Sequence, residues 1–94
     1  MTLMIIVYSN AVDVEIVEIL KKDAGGYTKF TGVTGEGSGE PHLGTHVWPG
    51  QNNCIMAAIE NKNEKSIVKE INLLKEKFPG VGIHVMELDL KKVI

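Results

Sequence analysis

The predicted strands of this chain are apolar on both faces. Side chains alternate between the two faces of a strand, and residues 3–8 (LMIIVY) are apolar in both registers. The segments 54–59 and 81–90 repeat this two-sided pattern. A sheet with one face in water is expected to alternate apolar and polar residues. We therefore expect a second copy of the chain to cover one face of the sheet.

Apolar residues at helical spacing predict two helices between these strands. The first begins near Asn10 or Asp13, either of which is a candidate cap, and ends before Gly25-Gly26. The second begins at the candidate cap Asn63 and stops at Pro79-Gly80. Their predicted buried stripes are Val12, Ile16, Ile19 and Leu20 in the first, and Ile67, Ile71, Leu74 and Phe78 in the second.

The predicted strands are Thr2–Ser9, Tyr27–Val33, Cys54–Glu60 and Val81–Leu90. The resulting order, β-α-β-β-α-β, predicts a single α+β domain over residues 1–94 with a ferredoxin-like sandwich. Both helices should lie on one face of a four-stranded antiparallel sheet. Three copies around a threefold axis, or two face to face, would cover the other face. The residues assigned to this interface are Met4, Ile6, Trp48 and His84.

Composition narrows the function only by exclusion. The net charge of −2 offers no basic stripe for nucleic acid. No apolar run approaches the ~20 residues of a membrane span, and residues 1–8 are predicted as a strand and not as a signal segment. The single cysteine, Cys54, fits a reducing compartment, and we expect a cytoplasmic protein. No pattern of nucleophile, base and orienting group is present, so we predict no enzymatic activity.

A glycine-rich loop is predicted at about 34–53. Six of the ten glycines lie between Gly32 and Gly50, together with two of the three histidines and the only tryptophan. Loops of this length in compact domains are usually functional. The backbone N–H groups of the loop could bind a ligand, with contacts assigned to Gly35, Gly37, Ser38, Gly39 and Glu40. Against a phosphate, the stretch between Lys29 and Lys62 contains no Lys or Arg.

The histidines and the tryptophan of the loop leave alternatives open. His42 and His46 are candidate ligands for zinc, copper or nickel, although Gly44 between them argues against a shared helix. They could equally be two exposed polar side chains. Trp48 could pack at an interface between subunits or stack on a ligand. His84, in mid-strand, could be an interface group sensitive to pH or a hydrogen-bonded histidine in a packed face.

The chain combines a first βα unit, a glycine-rich segment at residues 32–53 and the run GVGIHVMEL at residues 80–88. In these features it resembles the PII signalling superfamily over nearly its whole length. The first strand and residues 12–22 match that family's first βα unit, and Gly32–Asn53 falls where those proteins carry their exposed T-loop. Residues 80–88 (GVGIHVMEL) resemble the loop after the second helix and the fourth strand. The resemblance implies a trimer with ligand clefts between subunits. There small effectors, often adenine nucleotides, reshape the loop and control a partner protein such as a transporter or an enzyme.

Some family features have no counterpart, and a second family offers an alternative. The family's nucleotide-binding loop is rich in Thr, Gly, Asp and Lys, whereas this chain has only Phe78–Gly82 there. The trimeric CutA divalent-metal-tolerance proteins share the architecture, and His46-Val47-Trp48 is similar to their Trp-bearing loop. This resemblance implies divalent-metal binding, with His42 and His46 as ligands. The implied cofactor is thus a nucleotide or a divalent metal, and a purely structural subunit of a larger complex is a third possibility.

Overall fold

The computed structural model describes residues 1–35 and 51–94. Its elements are β1 (Thr2–Ser9), a 3-10 turn (Asn10–Val12), α1 (Asp13–Asp23), β2 (Thr28–Val33), β3 (Asn52–Ile59), α2 (Asn61–Lys77) and β4 (Ile83–Asp89). The strands form one sheet in the order β2-β3-β1-β4, and each pairing is antiparallel. This is the ferredoxin-like arrangement that the sequence predicts.

The core lies between the helices and one face of the sheet. Buried residues alternate along β1 and β3, and the same face of β4 adds Ile83. The helices contribute the predicted stripes, with Ile19 and Phe78 only partly buried. The buried apolar side chains are Met4, Ile6, Tyr8, Val12, Ile16, Leu20, Ile55, Ala57, Ile59, Ile67, Ile71, Leu74 and Ile83.

The other face of the sheet, here called the open face, is apolar and has no covering element among the described residues. Strand register puts Ile5 beside Met86 and Met56, and Val7 beside His84 and Cys54. Four large apolar side chains on this face stay between 39% and 51% exposed, namely Phe30, Met56, Met86 and Leu88. This face also carries Leu3, Ile5, Val7, Cys54, Ala58 and His84, with the polar residues Ser9, Thr28 and Asn52.

The assignment of Met4 and Ile6 to the interface between copies is wrong. Both side chains are fully buried beneath the helices of their own chain. They share their face of β1 with Tyr8, whose hydroxyl reaches Asp13 at the start of α1. The alternate residues of β1 face outward, so the interface candidates on this strand are Leu3, Ile5 and Val7.

The helix starts also differ from the prediction. Ser9 caps the 3-10 turn by accepting a hydrogen bond from the Ala11 N–H, and neither Asn10 nor Asp13 is the N-cap of α1, whose N-cap position is Val12. Asn63 lies inside α2, whose N-cap position is Glu60. The remaining element boundaries shift by no more than two residues from those predicted. Neither α1 nor α2, the helices of the described part of the chain, has the length and apolarity needed to cross a membrane.

Candidate functional site

The two strands that flank the glycine-rich segment meet β1 and β4 at one end of the sheet. We call this the loop end: residues 9–11, 33–35, 51–53 and 80–82. There the Ser9 N–H donates to the Gly82 carbonyl at 2.9 Å, and the Asn10 N–H donates to the Gln51 carbonyl at 2.9 Å. The side chains of Asn10 and Gln51 also bond, with Nδ2 of Asn10 donating to Oε1 at 3.0 Å. These bonds fix the exit of the segment to the end of β1.

The carboxylate of Asp13 is the centre of a polar cluster next to the loop end. Oδ1 accepts hydrogen bonds from the Tyr8 hydroxyl at 2.6 Å and from Nδ2 of Asn53 at 3.0 Å. Nζ of Lys29 donates to Oδ2 at 3.1 Å and to Oδ1 at 3.3 Å. One side chain on α1 therefore contacts β1, β2 and β3, including both strands that lead to the glycine-rich segment.

Burial and hydrogen bonding change the two pKa values of this cluster in opposite directions: the pKa of Tyr8 is raised and that of Asp13 is lowered. Burial, followed by the hydrogen bond to Asp13, raises the pKa of Tyr8 well above its usual value, so the phenol stays protonated as a donor. Burial alone would raise the pKa of Asp13. The hydrogen bonds from Tyr8, Lys29 and Asn53 and the charge of Lys29 outweigh it and hold that pKa below its usual range. Asp13 is thus a stable anion at neutral pH.

A β-bulge interrupts β2 just before the glycine-rich segment. Pairing with β3 runs from Thr28 to Phe30 and resumes only at Val33. Gly32 lies in the gap with φ of +65°, a left-handed conformation that glycine adopts without the cost a Cβ would add. Bulges bend a strand and weaken its ladder locally. Lys29, which bonds Asp13, therefore lies in the last regularly paired stretch of β2 before the bulge, and Val33 resumes the pairing beyond it.

The predicted site residues divide into two groups. Gly35 is exposed at the loop end, with open space around it. His84 is exposed on the open face, paired with Val7. Apart from the buried Met4 and Ile6, the others lie outside the described residues: Gly37, Ser38, Gly39, Glu40, His42, His46 and Trp48. Among residues 1–35 and 51–94, no three His, Cys, Asp or Glu side chains converge as a metal site would require.

Sequence reasoning missed the Asp13 cluster. The sequence pattern marks Asp13 only as a candidate helix cap and predicts no role for its partners Tyr8, Lys29 and Asn53. The available signal was weak: Asn53 is a polar residue at a position that faces the core of β3, where it is 6% exposed. Buried polar side chains are normally hydrogen-bonded, so its position implied a partner without naming one.

The element order and the sheet define a ferredoxin-like domain in which a long connection joins β2 to β3 at one end of the sheet. Among solved structures, the same fold occurs in PII-like proteins. A PII-like signalling protein from Thermus thermophilus is 24% identical, with a TM-score of 0.62 over 93% of this chain and 83% of that one. The chain thus has a PII-like fold, as the sequence resemblance predicts.

Two further structures support this fold assignment. CPII from Thiomonas intermedia K12, a nitrogen regulatory PII-like protein bound to ADP, AMP and bicarbonate, is 15% identical. It has a TM-score of 0.68 over 99% of this chain and 94% of its own. A DUF3240 family protein from Shewanella baltica OS155 is 12% identical, with a TM-score of 0.62 over 98% and 91% of the two chains. No protein-family model and no curated protein matches the sequence itself.

Proposed function

We propose that the protein is a trimeric PII-like regulator without catalytic activity. It would work in the cytoplasm, bind a small effector in clefts between its copies, and signal to a partner protein through the glycine-rich segment. The observation that carries this proposal is the open face, an apolar surface to which all four strands contribute residues. The resemblance to regulatory proteins of the same fold supports it.

The open face accounts for the proposed assembly. Half-exposed Phe30, Met56, Met86 and Leu88 lie on one surface of the sheet, whereas exposed apolar residues on monomers are usually scattered. Contiguous apolar surface of this kind is typical of interfaces between copies. Association through it would bring the loop ends of neighbouring copies close together. A cleft between copies would then be bordered by the two strands that flank the glycine-rich segment.

The effector is proposed as an adenine nucleotide. CPII, which has the same fold, was solved with ADP and AMP. In this chain the binding groups would be backbone N–H groups of Gly35, Gly37, Ser38 and Gly39, with Glu40 beside them. Backbone donors would have to replace the basic side chains that the PII family uses, since the chain has no Lys or Arg between Lys29 and Lys62.

Light scattering and calorimetry together test the proposal. We expect a mass of three chains at micromolar concentration, and heat on titration with ATP, ADP or AMP. Met86→Glu serves as the control, because a charge on the open face should give a folded single chain that lacks the cleft and binds no nucleotide. A single-chain mass for the unaltered protein would contradict the assembly. A trimer that gives no heat with any nucleotide would contradict the effector class.

The CutA-like alternative remains a prediction about His42 and His46. It requires zinc or copper uptake that the double substitution of both histidines by alanine abolishes. Equilibrium dialysis followed by metal analysis measures this uptake directly. Equal uptake by the two proteins would remove the alternative.

A further inference from the structure

We propose that Asp13 is a positioning residue of the loop end. Its carboxylate sets where β2 enters, and β3 leaves, the glycine-rich segment. This inference concerns the folded chain by itself. Only its consequence for effector affinity rests on the proposed function.

The geometry places one anion between both flanking strands. Lys29 on β2 and Asn53 on β3 bond the same carboxylate, at 3.1 Å to Oδ2 and 3.0 Å to Oδ1. These partners are separated from Asp13 by 16 and 40 residues of sequence, so their meeting is a product of the fold. Tyr8, nearly fully buried on β1, holds Oδ1 from below at 2.6 Å. The hydrogen bond from Tyr8 therefore fixes the position of the carboxylate independently of its bonds to Lys29 and Asn53.

The strand β2 depends on its contact with Asp13 more than the neighbouring strand β3 does. It is an edge strand, exposed along nearly all its length, and its ladder to β3 is broken between Phe30 and Val33. Few packing contacts therefore hold it, and its position depends on hydrogen bonds and the ion pair from Lys29. The side chains of Lys29 and Asp13 are 30% and 28% exposed, so water screens this pair less than it screens one on the outer surface.

A second lysine–carboxylate pair provides a matched control. Nζ of Lys22 lies 3.0 Å from Oε1 of Glu70 and joins α1 to α2, away from the loop end. Its lysine side chain is 67% exposed. Removing this lysine also deletes one ion pair of α1, but it leaves both flanking strands untouched. Any effect specific to the loop end should therefore appear with Lys29→Met and be absent with Lys22→Met.

Amide hydrogen exchange tests the inference without any effector. We expect Asp13→Asn and Lys29→Met each to speed exchange at residues 29–33 and 51–53 by about tenfold, the effect of one charge-assisted hydrogen bond. Amides of Met4 and Ile6 should change far less, and Lys22→Met should change neither region. In the double variant the two effects should not add, because both substitutions remove the same interaction.

Two results would overturn the inference. One is unchanged exchange at residues 29–33 and 51–53 in Lys29→Met, a variant that keeps the buried cluster of Tyr8, Asp13 and Asn53. The other is equal acceleration at the core amides, which would mean that the cluster contributes only to global stability.

Calorimetry then separates the two proposals. A wild-type protein that binds no nucleotide contradicts the proposed function and leaves the exchange result standing. If it does bind, Asp13→Asn should weaken the affinity.

Discussion

Met86→Glu should separate folding from association. Met86 is 49% exposed on the open face, so a glutamate there can remain hydrated in the isolated chain. We expect it to change the free energy of unfolding of that chain by no more than about 1 kcal/mol. An interface covering the same position would instead enclose an unpaired carboxylate. That burial costs at least about 3 kcal/mol per copy, or about 9 kcal/mol in a trimer.

The free energy gained by burying apolar side chains on association is of a size similar to the cost of these three carboxylates. Fully burying a large apolar side chain is worth about 2 kcal/mol, and each of the four half-exposed residues has roughly half of that still available. Phe30, Met56, Met86 and Leu88 together would contribute about 4 kcal/mol per copy on association. Three buried charges therefore offset most of this term. They should weaken association by roughly a million-fold, which is enough to dissociate the complex at micromolar concentration.

Met4→Glu is the matched control, because it makes the same change on the opposite face of the sheet. Met4 is fully buried under the helices. The free-energy cost of burying a charge there should exceed about 4 kcal/mol, which is enough to unfold the chain. Circular dichroism reports the fold, and sedimentation velocity reports the mass. We expect a folded single chain for Met86→Glu and an unfolded chain for Met4→Glu. A Met86→Glu protein that sediments like the unaltered complex would refute the assignment of the open face as the interface.

Three smaller predictions follow from the backbone and the charges. Gly32→Val should lower stability to urea by about 2 kcal/mol because of the positive φ, whereas Gly26→Val, with open space and ordinary φ, should change it by less than about 0.5 kcal/mol. Burial and then the hydrogen bond and charge of Glu64 raise the pKa of Glu87, so the folded state binds a proton more tightly there. Glu64→Gln should therefore stabilise the protein by a few tenths of a kcal/mol at pH 7 and not at pH 4, in thermal melts. The lowered pKa of Asp13 means that its contribution is complete at neutral pH and is lost on acidification below about pH 4. Accordingly, the faster amide exchange that Asp13→Asn causes at residues 29–33 and 51–53, relative to wild type at the same pH, should be complete at pH 7 and should shrink as the pH falls below about 4.

The fold could be predicted because its signals are local and periodic. The strand Thr2–Ser9 is found where the pattern predicts it, and so are the stripes on both helices. The two-sided apolar pattern also predicted an uncovered face. It could not tell which face the helices would cover, because Met4 and Ile6 are as apolar as Leu3 and Ile5. That choice depends on how β1 connects to α1, where the hydroxyl of Tyr8 bonds Asp13.

The Asp13 cluster could not be predicted for a different reason. Its partners lie 5, 16 and 40 residues away along the chain, and only the sheet register brings them together. Asn53 faces the core side of β3 because it keeps the alternation that Ile55 and Ala57 set. Such a meeting of distant residues has no period in the sequence. The sequence pattern could therefore predict the sheet, but it could not predict the hydrogen bonds of Asp13 next to the loop end.

The open face and the Asp13 cluster should respond differently to salt. The open face is apolar, so water drives its burial and association should depend little on salt. The tie between Asp13 and Lys29 is an ion pair on a thinly packed edge strand, so its strength should fall as salt rises. The association of copies through the open face and the position of the loop end set by Asp13 and Lys29 could then change independently of each other. Adjustment of the loop end by an effector would then leave the proposed assembly intact, which is what the proposed signalling function requires.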